Sequence, residues 1–493
     1  MAITITRRQA QQLRAVLRRA FGTRGPGPAL GFIADAEGLR VRAMSADAAV
    51  EYHVPGARTA ETLWLPGAFL ADCEGKKDEP VELVAVGKGR CTAQWRDGSV
   101  PQLTEYDSTP PRDADKFPGL PEPFAENPPA LLAAITAASE TTDPTSARYA
   151  LGCIRLRGED GSLAGTDGRQ LLVQRGFSFS WVGDVLVPRT KVFATDLAGE
   201  VPVRIGKTKE WLTIGVGPWF VHLRIDEQGR YPKVEQIIRP AGQATGVCRF
   251  SATDLRFLTE TLPRLPMDAD NDNRVTLDLN GQVIIRAKTA EQTRPTEVVL
   301  SGASWSGEPL RVNVNCRQMA RAVKLGLSEL RIFGEEAPVS WCDASRSYLS
   351  SPLSRDCCVE PAENAICIVS PVAETQFPVT QPQTRRRVSP VPEPTTNSNG
   401  NAAATVNSNG QSNGHAKANG QAKLNGEARN GTARKPGQNV EGLIKEAEAL
   451  RTSLRDTLLK TNDLLKGLKR HRRQSRAVQQ TIAQLRTLKT LGV

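Results

Sequence analysis

The sequence lacks the features of membrane and secreted proteins. No run of about 18 apolar residues occurs, so no membrane-spanning helix is predicted. The first residues, MAITITRRQAQQLRAVLRRA, have no apolar stretch behind their charges, which argues against a secretory signal. A basic transit peptide remains an alternative, but the spacing of Leu13, Val16 and Leu17 favours an amphipathic first helix. We therefore expect a cytoplasmic protein without a membrane anchor.

Residues that usually hold metals or perform catalysis are scarce and scattered. The nine cysteines include no CxxC pair, and the adjacent Cys357 and Cys358 cannot easily bridge each other. This pattern predicts reduced thiols and no metal site. The four histidines are spread over the chain. The segment IGKTK at 205–209 lacks the first glycine of a phosphate-binding loop, because position 201 is Val. No cofactor and no catalytic site are predicted.

Positive charge is concentrated in the C-terminal part of the chain. Lys+Arg and Asp+Glu number 64 and 53 overall, 8 and 2 in residues 376–439, and 12 and 5 in residues 440–493. Residues 1–375 are left with 44 and 46, a net charge of −2, whereas the remainder carries +13. Any nucleic-acid contact by residues 1–375 therefore depends on local basic patches.

The first 375 residues contain a pattern that occurs three times. Amphipathic helices are predicted at 6–21, 128–139 and 251–265. Each is followed by two alternating strand-like runs joined by a tight turn, at Glu37-Gly38, Asp160-Gly161 and Asn280-Gly281. Further hairpins complete each unit.

This repetition predicts an α+β fold with three domains of antiparallel sheet and helices, at 1–122, 123–244 and 245–375. Short junctions between the units favour neighbours that cover each other's sheet edges over three independent beads.

Several segments of the second unit, taken together in order, are similar to the bacterial sliding clamp, the beta subunit of DNA polymerase III. They are ARYALGCIRLRGEDGSLAGTDGRQLLVQRG at 147–176, VLVPRTKVF at 185–193 and GRYPKVEQIIRP at 229–240. The resemblance covers residues 1–375 and is weakest in the first unit. It implies a head-to-tail homodimer, with sheets outside and helices lining a pore that surrounds duplex DNA without sequence specificity.

The resemblance also implies which residues approach DNA. Arg24 and Tyr149 match DNA-contacting positions of the family, although Ala150 replaces a second family tyrosine. Basic residues on the first and last helices are further candidates for the pore: Arg7, Arg14, Arg18, Arg317, Arg321 and Lys324. An ordinary solvated helix face explains these six residues equally well.

Sliding clamps bind polymerase, clamp loader and repair proteins through short peptides in an apolar cleft. The family pattern implies a cleft formed by Leu151, Thr166, Gly168, Arg169, Gln170, Leu171, Pro232, Gln236 and Ile237. Its closing wall is expected at Ile368, Val369, Ser370, Pro371 and Val372. Residues 347–353 compete for that strand assignment, and in that case 355–364 form an inserted loop. The alternative interpretation is that all of these residues belong only to the core and the turns of the fold and bind no peptide.

Two sequence departures concern the cleft. Arg169-Gln170 stands where the family has His-Arg, and Gln236 replaces a second arginine. The chain also continues past the usual family end. Residues 376–439 are rich in Pro, Asn and Gly and predict a disordered linker. Residues 440–493 predict a basic helical segment whose charges contact DNA or another acidic partner, or simply face solvent.

Three hypotheses follow from these patterns. The first is an active clamp that holds the DNA polymerase III catalytic subunit on DNA and is placed there by a clamp loader. The second is a clamp-like paralogue that acts as a scaffold or regulator. The third is a nucleic-acid-binding protein that acts through its basic C-terminal segment.

Overall fold

Secondary structure in the computed structural model repeats three times along the chain. The model describes residues 2–22, 27–87, 89–146, 150–194, 197, 201–334, 337–354 and 358–372. All of them belong to one unit, Met1–Gln383. The predicted linker at 376–439 and helical segment at 440–493 lie outside the described residues.

The first repeat has eight strands and two helices. They are β1 (Ala2–Thr6), α1 (Arg7–Phe21), β2 (Leu30–Asp35), β3 (Gly38–Met44), β4 (Ala48–Pro55), β5 (Glu61–Leu65), α2 (Phe69–Cys73), β6 (Pro80–Ala85), β7 (Arg90–Asp97) and β8 (Val100–Asp107).

The second repeat has the same order, with a short 3-10 turn at Val192–Ala194 in place of its second helix. Its elements are β9 (Ala125–Asn127), α3 (Ala130–Thr141), β10 (Cys153–Arg157), β11 (Ser162–Thr166), β12 (Gln170–Gln174), β13 (Asp184–Pro188), β14 (Val203–Lys207), β15 (Trp211–Val216) and β16 (Trp219–Arg224).

The third repeat has two additional strands, β21 and β26. Its elements are β17 (Gly246–Arg249), α4 (Ala252–Thr261), β18 (Arg274–Asn280), β19 (Gln282–Ala287), β20 (Thr296–Leu300), β21 (Ser304–Gly307), β22 (Leu310–Asn315), α5 (Cys316–Lys324), β23 (Glu329–Ile332), β24 (Val339–Cys342), β25 (Arg346–Ser350) and β26 (Ile366–Val369). The predicted α+β class is confirmed.

Local sequence explains where the longer helices begin. Thr6 accepts a hydrogen bond from the Gln9 amide at 3.1 Å, and the Gln9 side chain accepts one from the Thr6 amide at 2.8 Å. This reciprocal capping satisfies amides that have no partner inside α1. Ser251 and Asp254 form the same arrangement at α4. The helix α1 ends at Gly22, whose φ of +58° suits glycine.

Strands from successive repeats join in shared sheets. The sheet orders are β1-β6-β7-β8, β5-β2-β3-β4-β16-β15-β14-β9, β13-β10-β11-β12-β25-β24-β23-β17-β21 and β22-β18-β19-β20-β26. Two antiparallel pairs cross the repeat boundaries: β4 with β16, and β12 with β25. These pairs cover edges that would otherwise be open, so the repeats are not independent beads. The domain limits at 1–122, 123–244 and 245–375 stay a prediction.

Helices cover the apolar face of the sheets in each repeat. Leu13 and Val16 of α1 and Leu131 and Ile135 of α3 are buried in one cluster that extends over the first two repeats. A second cluster fills the third repeat around Trp341. Burial of apolar area of this extent is the main source of folding free energy.

Candidate peptide pocket and basic helix faces

A pocket opens where β12 of the second repeat meets β25 of the third. It measures about 640 Å³ including its open mouth. Eight residues predicted for the cleft line it together: Leu151, Thr166, Gly168, Arg169, Gln170, Leu171, Pro232 and Ile237. Such a volume, with mainly apolar walls, suits one or two side chains of a ligand.

One wall is a tight turn held by short-range hydrogen bonds. The Thr166 hydroxyl donates to the Gln170 carbonyl at 2.6 Å and accepts from the Gly168 amide at 3.0 Å. The Asp167 carboxylate accepts from the Arg169 and Gln170 amides, both at 2.8 Å. Gly168 has a φ of +87°, which favours glycine at this position. The turn therefore holds the rim of the pocket in one backbone shape.

The base of the pocket is an apolar cluster across the repeat boundary. Leu171 lies directly opposite Leu349 in the β12–β25 pair. Both belong to a cluster with Ala164, Val173 and Val234. Ile237, at the rim, leaves 45% of its surface exposed. An apolar side chain of a partner would extend this cluster.

Five further residues that the motif comparison did not include line the pocket: Val234, Pro338, Leu349, Ser350 and Ser351. The strand β25 supplies the wall because it pairs with β12, and the Ser351 amide donates to the Arg169 carbonyl at 3.0 Å. This agrees with the alternative assignment of 347–353. The signal for it in the sequence was the Tyr- and Leu-containing run at 347–353. Gln236 is exposed and is not among the lining residues.

The predicted wall at Ile368, Val369, Ser370, Pro371 and Val372 does not line this pocket. After β25 the chain crosses to the five-stranded sheet, where Ile366–Val369 forms β26 beside β20. Ser370 is buried against the third repeat, and Val372 is 76% exposed. Both 347–353 and 366–372 have apolar, strand-like character, so local pattern alone could not assign the pocket wall.

Arg169 and Gln170, which stand where the family has His-Arg, occupy different environments. Gln170 receives a hydrogen bond from the hydroxyl of buried Tyr348 and donates to Asp167 at 2.8 Å. Burial raises the pKa of the Tyr348 hydroxyl well above its usual value, so this group remains a donor. Arg169 is exposed, with its guanidinium 3.6 Å from Asp272. The glutamine is thus part of the pocket's support, and the arginine can reach a ligand.

The fold of this chain is similar to that of solved bacterial clamp structures. The DNA polymerase III subunit beta of Pseudomonas aeruginosa is 16% identical, with a TM-score of 0.59 over 72% of this chain and 100% of that one. The beta subunit of Streptococcus pyogenes is 14% identical, with a TM-score of 0.60 over 72% and 100%. The DNA polymerase sliding clamp of Bacillus subtilis is 16% identical, with a TM-score of 0.58 over 72% and 99%.

This chain has the sliding-clamp fold. The predicted resemblance to that family is confirmed at the level of structure. No family model and no curated protein sequence matches the chain.

In this fold, two of the predicted pore residues, Arg7 and Arg321, form hydrogen bonds with other parts of the protein. Arg7 directs all five of its N–H donors at protein oxygens. The acceptors are Glu79 at 3.0 Å, Asp97 at 3.1 Å and the carbonyls of Cys73, Glu74 and Arg96 at 2.8–3.2 Å. Its side chain is 11% exposed. All the N–H donors of Arg7 thus have acceptors within the protein, and a DNA contact by Arg7, which stays a prediction, would require some of these bonds to break.

Arg321 joins α5 to α3 across the boundary between repeats. It donates to the carbonyl of Ala137, to the Thr141 hydroxyl at 3.0 Å and to Glu140 at 3.3 Å. Its side chain is 18% exposed. Arg14 forms an ion pair with Glu74 at one-third exposure. Arg321 is thus bound within the protein and Arg14 partly so, and a DNA contact by either residue stays a prediction.

The other predicted basic residues differ in accessibility. Arg18 on α1 and Arg317 and Lys324 on α5 are exposed. Arg24 and Tyr149 lie outside the described residues. Among the described candidates, Arg18, Arg317 and Lys324 are therefore the most accessible basic residues.

The described residues contain no group of three or more His, Cys, Asp or Glu side chains that could hold a metal ion. In the same part of the chain, every helix is too short or too polar to cross a membrane. Burial raises the pKa of the Cys73 and Cys248 thiols to about 12, which keeps these groups protonated.

Proposed function

We propose that this protein acts as a sliding clamp: a head-to-tail homodimer that surrounds duplex DNA and tethers protein partners to it. The observation that carries the proposal is the pocket between the second and third repeats. It occurs in a chain whose strands pair from one repeat to the next. Tethering needs a closed ring and a docking site and no catalytic chemistry, cofactor or membrane contact. The proposed location is the cytoplasm.

The pocket suits a short peptide with apolar side chains. Leu171, Leu349 and Val234 provide a rigid apolar base, and the exposed Arg169 provides one positive charge at the rim. A peptide that places apolar residues into such a pocket gains affinity by area burial and orientation by backbone contacts. The proposed partners are the DNA polymerase III catalytic subunit and a clamp loader, which would use the pocket in turn.

Contact with DNA would be weak and general. Arg18, Arg317 and Lys324 are exposed on helices, and residues 1–375 have a net charge of −2. A few phosphate contacts leave a ring free to move, because phosphates carry no sequence information. Arg24 and Tyr149 are further proposed contacts.

The test is retention on circular DNA. The full-length protein is incubated with nicked circular plasmid, ATP and a cell extract that supplies a clamp loader, and is then separated by size in high salt. We expect the protein to stay with circular DNA and to leave once a restriction enzyme cuts the plasmid. Equal retention on circular and linear DNA would show binding without encirclement, and loss from both in high salt would show binding by charge alone; either result would contradict the proposal.

A clamp-like scaffold or regulator is the second candidate. It is favoured by Gln170, which Tyr348 holds in place where the family has arginine, and by the basic segment after residue 375 as an alternative DNA contact. Micromolar binding of a generic clamp-binding peptide would favour the active clamp, and absence of binding would favour the scaffold. Deletion of 376–493 removes salt-sensitive DNA affinity if the tail provides it, and leaves topological retention intact if the ring provides it.

A further inference from the structure

The two junctions between repeats follow one rule. The strand β4 of the first repeat pairs antiparallel with β16, the last strand of the second. The strand β12 of the second repeat pairs antiparallel with β25, the last strand of the repeated pattern in the third. By the same rule, β20 of the third repeat corresponds to β4 and β12, and β8 of the first corresponds to β16 and β25.

The strands β8 and β20 lie at the two ends of this series. Among the described residues, β8 pairs only with β7 and so has one open edge. The strand β20 pairs with β19 on one side, and its other side is occupied by β26. A strand can bond to only two neighbours, so the β20 edge is already filled by the chain itself.

The strand β26 pairs with β20 along its whole length. The pairs are Thr296–Ile366, Glu297–Cys367, Val298–Ile368 and Val299–Val369, in the only parallel pairing among the described strands. The Ile366 amide donates to the Pro295 carbonyl and the Ser370 amide to the Val299 carbonyl, both at 2.9 Å. Since donors alternate along a strand, the Ile368 amide also faces β20 and the Cys367 amide faces away.

The segment that precedes β26 crosses the outer face of the sheet. Leu353 pairs with Asn313 of β22 at one edge, and the Val359 amide donates to the Thr276 hydroxyl of β18 at 2.8 Å. Glu360 forms an ion pair with Arg311. The segment therefore reaches β20 from the far side of the sheet and is fixed at points along its described path.

Side-chain packing of β26 itself is sparse. All four of its residues are exposed, including Ile366 at 48% and Val369 at 59%. The strongest attachment follows it at Ser370, which bonds to Asp254 at 2.6 Å and to Ser301 at 2.8 Å. A strand of four residues held mainly by backbone bonds and one anchor can be displaced by a competitor that pairs with all five residues of β20. The strand β8 has eight residues.

We propose that β26 and the β8 strand of a second copy of this chain compete for the same edge of β20, so that the head-to-tail junction forms only after β26 leaves it. This inference rests on the proposed ring. It adds that the chain carries its own strand for the junction and that assembly depends on its release. The apparent affinity of one copy for another falls as the fraction of molecules with β26 bound to β20 rises.

The first test uses two proline variants of the full-length protein. Ile368→Pro removes an amide that bonds to β20, whereas Cys367→Pro removes one that faces solvent, where an edge strand tolerates proline. We expect Ile368→Pro to lower the dimer dissociation constant at least about tenfold and Cys367→Pro to leave it near the wild-type value. Sedimentation equilibrium over a range of concentrations gives these constants. An Ile368→Pro constant equal to that of wild type would overturn the inference.

The second test locks the strand in place. Glu297 lies directly opposite Cys367, so Glu297→Cys places two thiols at a spacing of about 5 Å between Cα atoms, within the disulfide range. The oxidised variant, with its bond verified by peptide mapping, is expected to stay monomeric and to dimerise after reduction. Both forms lack Glu297, so its ion pair with Arg286 cancels from the comparison. Dimerisation of the locked form would overturn the inference.

These experiments separate the inference from the proposed function. If the locked form dimerises and is retained on circular DNA like wild type, the clamp function stands and the competition by β26 is refuted. If neither wild type nor the reduced or Ile368→Pro proteins dimerise or stay on circular DNA, the ring itself is refuted. Peptide binding in the pocket, measured on the same proteins, reports folding and docking independently of assembly.

Discussion

Ser370 donates a 2.6 Å hydrogen bond to the carboxylate of Asp254, a residue that also caps α4. Both residues are buried, at 2% and 0% exposure. The bond ties the end of β26 to the start of a helix on the apolar side of the same repeat. A charged acceptor inside the protein makes this one of the stronger attachments of the segment.

Loss of this bond should loosen β26 without unfolding the third repeat. We expect Ser370→Ala to lower the free energy of local opening by about 1–2 kcal/mol. The Ile366 and Ile368 amides would then exchange with solvent roughly ten times faster or more. Hydrogen-exchange mass spectrometry of 360–372 measures this. Exposed Ser328 provides the control, because Ser328→Ala should leave that segment unchanged. Equal exchange in both variants would show that Ser370 is not the anchor.

The pocket should respond to a charge at its rim. Ile237 is 45% exposed, so Ile237→Asp places a carboxylate at the apolar mouth without disturbing a buried core. We expect at least about a tenfold loss of affinity for a fluorescent clamp-binding peptide, since the charge must lose water when the peptide binds. Val182 is 87% exposed and is not among the lining residues, so Val182→Asp serves as the matched control. Equal affinities would place the peptide elsewhere.

Short-range sequence signals predicted the local parts of this structure. Thr6 and Gln9 specify the start of α1 by themselves, and the Thr166–Leu171 turn is held by bonds between residues two to four apart. The helix–hairpin repeats follow from apolar periodicity, which local residues determine. These features allowed the helix–hairpin repeats to be predicted, whereas the pocket residues were predicted from the resemblance to the clamp family.

Contacts between residues that are far apart in the sequence could not be predicted as well. Residues 347–350 and 366–369 are both strands, and only tertiary pairing decides which one lies beside β12. Arg7 and Arg18 are both basic residues on α1, yet only Arg7 meets Glu79 and Asp97 from a distant hairpin. Neither outcome has a signal within a few residues of the position concerned.

Two of the arginines of α1, Arg7 and Arg18, should separate an effect on stability from an effect on DNA contact. Arg7→Ala removes a donor to two carboxylates and three carbonyls, and we expect the free energy of unfolding to fall by about 2–4 kcal/mol. Arg18→Ala removes an exposed side chain and should change it by less than about 0.5 kcal/mol. Urea denaturation measures both. For DNA, Arg18→Ala should reduce the salt dependence of binding by about one phosphate contact. An unstable Arg18→Ala protein, or a stable Arg7→Ala protein, contradicts this division.

His222 should make the protein less stable in mild acid. It is fully buried on β16, with Nδ1 2.8 Å from the Thr213 hydroxyl and the Phe117 ring edge-on at 5.5 Å. Burial, assisted by the charge of Arg42, lowers the pKa of His222 to about 4 from its ordinary 6.5. The unfolded chain therefore takes up a proton on this ring at a pH where the folded protein does not.

The stability contributed by neutral His222 is complete above pH 6.5 and is lost as the pH falls toward 4. Over this range, protonation of His222 in the unfolded chain lowers the free energy of unfolding by up to about 1.4 kcal/mol per pH unit, and by about 3 kcal/mol in total. His222→Asn keeps a polar group near Thr213 but cannot titrate, so its unfolding free energy should fall less steeply between pH 7.5 and 4.5. Urea denaturation at one-unit pH steps gives both curves, and carboxylates common to the two proteins cancel in their difference. Parallel curves would mean that His222 is protonated equally in the folded and unfolded states.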